Sequence, residues 1–238
     1  MCKILILVLS NTDNNGVYDK FYKSQMETWN SLECEGVKVF HYYGSSNENK
    51  IEDFKIFTKI NDELYFDQNG YINSPLNAGY KTIEAFRLIK DFEYDFLFRT
   101  TLSSYVDKQR LKIFCQNLNK NRYYGGITGV ETTSLFGELN GFNIQYVTGS
   151  CIIMSKDIVN MLIDNEYEID HKNYLDDAAF GKFLNIKGII PENIGGFASL
   201  DDMSHFHYKL KTMPSGSHVN RDNDINNMYL IHENKNKI

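Results

Sequence analysis

Apolar runs of strand length alternate with stretches of helical period along this chain, which predicts a single α/β domain: a mainly parallel sheet flanked by helices. Residues 4–9 are apolar at every position, the pattern of a strand buried on both faces. A polar turn over residues 10–16 follows, and then a helix-period segment, the opening of a βα unit. The alternation recurs with no internal repeat and no linker that would divide two domains, and 238 residues at 42% hydrophobic content suffice for one core of this kind.

In chain order, Tyr18, Tyr22, Met26 and Trp29 recur at helical spacing and give the first helix its apolar face. Residues 37–43 read as the second strand, 45–50 as a charged loop, 64–67 as a short edge strand and 68–75 as loop. Leu76, Tyr80, Ile83 and Phe86 or Arg87 mark a helix over residues 76–90. The aromatic-rich run at 94–98 reads as a central strand with Arg99 at its carboxyl end, leading through a turn into a helix that Ser103 and Ser104 cap. Leu111, Phe114, Cys115 and Leu118 fall at i, i+3, i+4 and i+7 of that helix. Residues 123–128 make a strand, 130–142 a loop, and 144–154 a strand interrupted by Gly149. Ser155 is a good N-cap for a helix holding Ile158, Met161 and Leu162, and residues 174–186 form another helix. Residues 188–191 lead to a last short strand. Beyond Gly195 the chain turns polar, giving a domain over residues 1–219 and a polar, mobile tail over 220–238.

Composition narrows the function classes. The formal charge is −6, and the 25 Lys and Arg are scattered without forming a stripe, which argues against nucleic-acid binding. Cys2, Cys34, Cys115 and Cys151 lie far apart, without metal or redox spacing, and read as small buried thiols in a reducing compartment. The longest apolar run, residues 4–9, is too short to span a bilayer and no signal-peptide pattern precedes it, so the expectation is a soluble cytoplasmic protein with no transmembrane segment. The 16 Tyr and 16 Phe suit core packing and also platforms for sugar rings.

Several residues carry chemistry. Arg99 is followed by Thr101, Leu102 and Ser103, two hydroxyls and an apolar residue with no acid among them; it either pairs with Asp95 or Asp107 or faces a ligand. Lys81 is either an exposed helix lysine or a second fixed cation. Asp176 and Asp177 open a helix ahead of the small Ala178 and Ala179, so they either serve the helix dipole or let a substrate approach a carboxylate base. Ser10, Asn11 and Asp13 follow the first strand, where open α/β sheets bind ligands. Gly149 reads as a close backbone approach to a ligand or a bulge. His205 and His207 flank Phe206 and share a face if extended, a possible metal pair; Asp201 and Asp202 before them read as a turn.

Set in order, these segments resemble the superfamily of beta-1,3-galactosyl-, beta-1,3-N-acetylglucosaminyl- and Fringe-type glycosyltransferases, which have the GT-A fold. The resemblance runs over about residues 1–210. Glu27, Thr28 and Trp29 stand for the family's Arg-x-Thr-Trp, residues 62–67 for its Asp-Ile-Ile-x-x-Asp, and Lys81 with Thr82 for its Leu-Lys-Thr. Residues 96–106 stand for the strand ending in Lys-Thr-Asp-Asp-Asp-x-Phe-Val, and Tyr124, Gly125 and Gly126 for Tyr-x-Gly. Residues 146–155 match Tyr-x-Ser-Gly-x-x-Tyr-Val-Leu-Ser; Asp176, Asp177 and Gly181 match Glu-Asp-Val-x-x-Gly; and Phe206 with His207 resembles the late Phe-His. The three acids of the metal motif are here Thr101, Leu102 and Ser103.

What the resemblance implies is an inverting hexosyltransferase that moves a sugar from a nucleotide donor, a UDP-sugar, to a hydroxyl of a glycan acceptor in a surface polysaccharide, lipopolysaccharide or glycoprotein glycan. Asp177 would be the base and Asp176 its neighbour on the acceptor side. Ser10, Asn11, Asp13, Lys81, Arg99, Thr101, Ser103 and Gly149 would bind the donor. No cofactor is required; Mn2+ or Mg2+ would be the ion if one binds, with His207 as its ligand. Two alternatives stand beside this: an inactive relative that keeps nucleotide or sugar binding, and a sugar-nucleotidyltransferase. The latter normally has a glycine-rich, basic loop after its first strand, whereas residues 11–16 contain one glycine and no Lys or Arg.

Overall fold

The computed structural model describes residues 2–11, 16–45, 49–59, 77–131, 133–134, 137–138, 143–195, 204–210 and 221–235. Along the chain run β1 (Ile4–Leu9), α1 (Val17–Glu27), β2 (Val37–Ser45), β3 (Lys50–Glu52), β4 (Lys55–Lys59), α2 (Asn77–Ile89), β5 (Phe96–Thr101), β6 (Ser104–Val106) and α3 (Lys108–Gln116). There follow β7 (Tyr124–Glu131), β8 (Thr133–Ser134), β9 (Gly137–Glu138), β10 (Ile144–Ser155), α4 (Lys156–Asp164), α5 (Asp176–Ile186), β11 (Glu192–Asn193), β12 (His207–Lys209) and α6 (Asp222–Lys235).

Eight strands form one sheet in the order β11-β7-β10-β5-β1-β2-β4-β3. Its centre is parallel, with β1 between β5 and β2, while β10 runs antiparallel between β5 and β7. Helices cover both faces, which explains why β1 is apolar throughout. Ile4, Ile6 and Val8 enter the core that α1, α3 and α6 close; Leu5 and Leu7 enter the opposite core, with α2, α4 and α5. Phe96 and Phe98 of β5 likewise face the first core, and Leu97 the second.

Four expectations are corrected. The chain after β5 does not enter a helix: it turns at Leu102 and Ser103 into β6, which pairs with β12, and Asp107 caps α3 by accepting from the Arg110 amide at 3.0 Å. Ser103 and Ser104 therefore cap nothing. Residues 222–235, expected as a mobile tail, form α6, which buries Met228 and Ile231. Residues 45–50 are not all loop, since β2 runs to Ser45 and β3 starts at Lys50. The stretch 130–142, expected as loop, continues β7 to Glu131 and carries the short β8–β9 ribbon. The edge strand at 64–67, the loop at 68–75 and the Asp201–Asp202 turn lie outside the described residues.

The end of α1 shapes the turn that matters below. Gln25 donates to the carbonyls of Leu102 at 2.7 Å and Ser104 at 3.0 Å, and the buried Trp29 indole donates to Ser104 at 3.1 Å. Three buried hydrogen bonds thus fix the 101–104 backbone from one side.

Candidate active site

The carboxyl ends of β1 and β5 open into a cavity of about 250 Å3. Ser10, Asn11, Lys81, Thr101 and Ser103 all line it. So do Lys209 and Arg221, which were not expected. The described lining holds three cations and no carboxylate. A larger cavity of about 520 Å3 lies between the end of α1 and β2, but it is lined by Met26, Leu32 and Phe54 and gathers none of the expected residues. Asp13 lies outside the described residues.

Lys81 is buried in α2, and its ammonium donates to the Ser10 carbonyl at 3.2 Å. Burial first, then the nearby Arg99 charge, lowers its pKa to about 8, with Asp176 opposing. Lys209 reaches in from β12. Its register opposite Ser104 of β6 sets the ammonium over the turn, where it donates to Thr101 Oγ1 at 2.5 Å and Ser103 Oγ at 2.7 Å. Arg221 precedes α6, pairs with Asp224, donates to the Leu210 carbonyl at 2.9 Å and lies over the Phe21 ring at 4.9 Å.

Arg99 and Gly149 do not line this cavity; they organise the acid pair. Arg99 is 2% exposed and ion-pairs neither Asp95 nor Asp107 but Asp176, at the start of α5. Its other donors go to the Gly149 carbonyl and the Tyr42 hydroxyl, the latter at 3.1 Å. Burial disfavours the guanidinium charge, but Asp176 and then Tyr42 outweigh it and raise the pKa. Gly149 sits in a bulge of β10, where a Cβ would stand 2.2 Å from Arg99 Nη1 and 3.3 Å from Asp177 Oδ2. The close approach that its glycine allows is therefore to the protein's own side chains.

Asp177 Oδ2 accepts from the Gly149 amide at 2.8 Å and Oδ1 from the Ala178 amide at 2.9 Å. Burial, then the neighbouring Asp176, pushes its pKa up to about 6 against these amides and Arg99. The two acids thus differ in setting: Asp176 is tied to a buried cation, while Asp177 is half-buried and keeps lone pairs for a further donor. Arg99 and Thr101 share a face of β5 two residues apart, so acid pair and cavity are separated by roughly 7 Å of strand.

His207 is buried beneath the turn, its Nε2 3.2 Å from Ser104 Oγ and 3.4 Å from Thr100 Oγ1, with its ring edge-on to Phe98. Burial, then Lys209, lowers its pKa to about 3, so the ring is neutral. Among the described residues, no group of three His, Cys, Asp or Glu is placed to hold a metal ion. The 101–103 turn does not fit a divalent cation: its side-chain oxygens are two neutral hydroxyls, and an ammonium already sits on both.

No family model matches the chain. No curated protein matches it in sequence. Among solved structures it is similar to 2-C-methyl-D-erythritol 4-phosphate cytidylyltransferase from Thermus thermophilus, at TM-score 0.45 and 7% identity over 99% of this chain and 100% of that one. It is also similar to the apo form of the glycosyltransferase GlyE from Streptococcus pneumoniae, at TM-score 0.37 and 12% identity over 82% of this chain and 45% of that one. Likeness at this level carries no weight for function, which rests on the site itself.

Lys209 had no signal of its own: β12 puts it on the same face as His207, but nothing local in the sequence pairs that three-residue strand with the 101–104 turn. Arg221 had none, because only the docking of α6 brings it to the cavity.

Proposed function

We propose that the protein is an inverting glycosyltransferase that moves a sugar from a nucleoside-diphosphate donor, a UDP-sugar, to a hydroxyl of a glycan acceptor without a divalent ion. The observation that carries this reading is a cavity whose described lining holds three cations and no carboxylate, beside an acid pair whose second member has a raised pKa. A diphosphate leaving group needs fixed positive charge where its own charge grows, and an acceptor hydroxyl needs a base that is ionised near neutral pH yet basic enough to take a proton.

In this reading the acceptor oxygen attacks the anomeric carbon. The bond from that carbon to the donor phosphate oxygen breaks, its electron pair leaves with the diphosphate, and the hydroxyl proton goes to Asp177. Asp176 and Arg99 hold the Asp177 segment in place, and Ser10 and Asn11 meet the nucleoside. A screen of nucleotide sugars for transfer and slow donor hydrolysis tests it. UDP-sugars should turn over, and Asp177→Ala should lower kcat by ~10²–10⁴-fold. Turnover that survives this change removes Asp177 as the base; no turnover of any nucleotide sugar removes the transferase reading.

A further inference from the structure

We infer that Lys209 is the cation that receives the donor's diphosphate, seated on Thr101 and Ser103 where a metal-dependent enzyme would seat a divalent ion. This deepens the proposed transferase reading and rests on it. Three features build the seat. The ammonium lies 2.5 Å from Thr101 Oγ1 and 2.7 Å from Ser103 Oγ. Lysine has donors only, so both hydroxyls accept from it and turn their own O–H protons elsewhere; Thr101 has Ser104 Oγ 3.5 Å away, and Ser103 lines the open cavity. An anion arriving there meets the Lys209 ammonium together with an oriented hydroxyl donor.

Second, the seat is rigid before any ligand arrives. Lys209 is held by the β6–β12 ladder and by the Leu210 amide donating to the Ser103 carbonyl at 2.8 Å, while Gln25 and Trp29 pin the opposite side of the turn. Charge fixed in advance costs no reorganisation as the leaving group becomes more negative. Third, Lys81 and Arg221 line the same cavity, so the second phosphate also meets positive potential, and no carboxylate in the described lining competes for it.

Calorimetric titration of the full chain with UDP and with uridine, in EDTA and then with Mn2+, tests the inference. The wild type should bind UDP in EDTA, with Mn2+ changing Kd by less than about twofold. Lys209→Met should weaken UDP by ~10- to 100-fold, the scale of one charged hydrogen-bonding partner, and leave uridine unchanged. Lys209→Arg should recover most of the loss, and thermal melts identify any variant that fails to fold. If Lys209→Met does not fold, the double change Thr101→Val, Ser103→Ala should produce the same selective loss. UDP binding that requires Mn2+, or UDP binding by Lys209→Met at wild-type strength, overturns the Lys209 assignment and leaves the transferase reading standing. A wild type that binds none of UDP, CDP, GDP and ADP, with or without Mn2+, overturns both.

Discussion

Asp177 holds its carboxylate between the Gly149 and Ala178 amides, yet burial and Asp176 still lift its pKa from 3.8 to about 6. The folded protein therefore binds this proton more tightly than the unfolded chain does. Stability falls as pH rises from about 4 to 6, and the ionised form costs up to ~3 kcal/mol above that window. Asp177→Asn should raise the melting temperature at pH 8, have little effect at pH 3, and abolish transfer. Wild-type kcat/KM should climb through a single limb near pH 6 on the acid side; an activity flat from pH 5 to 8 removes Asp177 as the titrating base. The Arg99–Asp176 pair behaves differently, because neither partner tolerates isolation. Arg99→Met strands the Asp176 charge and should cost ~3–5 kcal/mol in urea unfolding. Arg99→Lys should recover little, since an ammonium cannot reach Asp176, Gly149 and Tyr42 in the guanidinium's fork geometry.

At the scale of elements, α5 delivers the acids by lying directly on β10. Gly181 makes this possible: a Cβ there would stand 2.4 Å from Tyr146 Cβ and 2.8 Å from the Gln145 carbonyl. Gly181→Ala should push α5 outward, cost ~1–3 kcal/mol, and lower kcat more than its effect on UDP affinity, since the three-cation cavity is built from other elements. β1 and β5 were legible in sequence because both of their faces are buried and they read as continuous apolar runs, and α2 because the face it buries recurs at helical period. The β6–β12 ribbon was not. Its three-residue strands are too short to show a period, and His207 pairs with Val106 across a long sequence separation that no local pattern encodes. The same limit applied to the partner of Arg99: the candidates near it in sequence were Asp95 and Asp107, whereas Asp176 lies 77 residues on. The individual residues Lys81, Thr101, Ser103, Asp176 and Asp177 were readable; which of them meet is a property of the sheet order.

For the whole molecule, the least legible part is also what closes the first core, the one that holds Ile4, Ile6 and Val8. α6 buries only Asp224, Met228 and Ile231, a stripe too narrow to stand out in an Asn- and Asp-rich segment. It nonetheless meets α1 from end to end: Ser24 Oγ contacts Met228 sulfur at 3.2 Å, Tyr229 donates to Glu27 at 2.6 Å, and Lys20 pairs with Asp222 at 2.9 Å. Met228 and Ile231 join Phe21, Trp29, Tyr105 and Tyr208 in one cluster, which also supports the turn under the cavity. The same docking holds Arg221 over Phe21 at the cavity wall. Burying Met228 in that cluster makes α6 part of the cooperative unit. Met228→Ala should cost ~2–4 kcal/mol and lower the single melting transition by ~5–15 °C for a chain of this size. Calorimetry and far-ultraviolet circular dichroism should follow the same curve. A separate early helix-loss step, or a midpoint shifted by under about 1 °C, means that α6 melts on its own and lends nothing to the site. A saturating nucleoside diphosphate should restore part of the loss through mass action, ~2.7 kcal/mol at a hundredfold excess over Kd, because a ligand that binds only the folded chain pulls the equilibrium toward it.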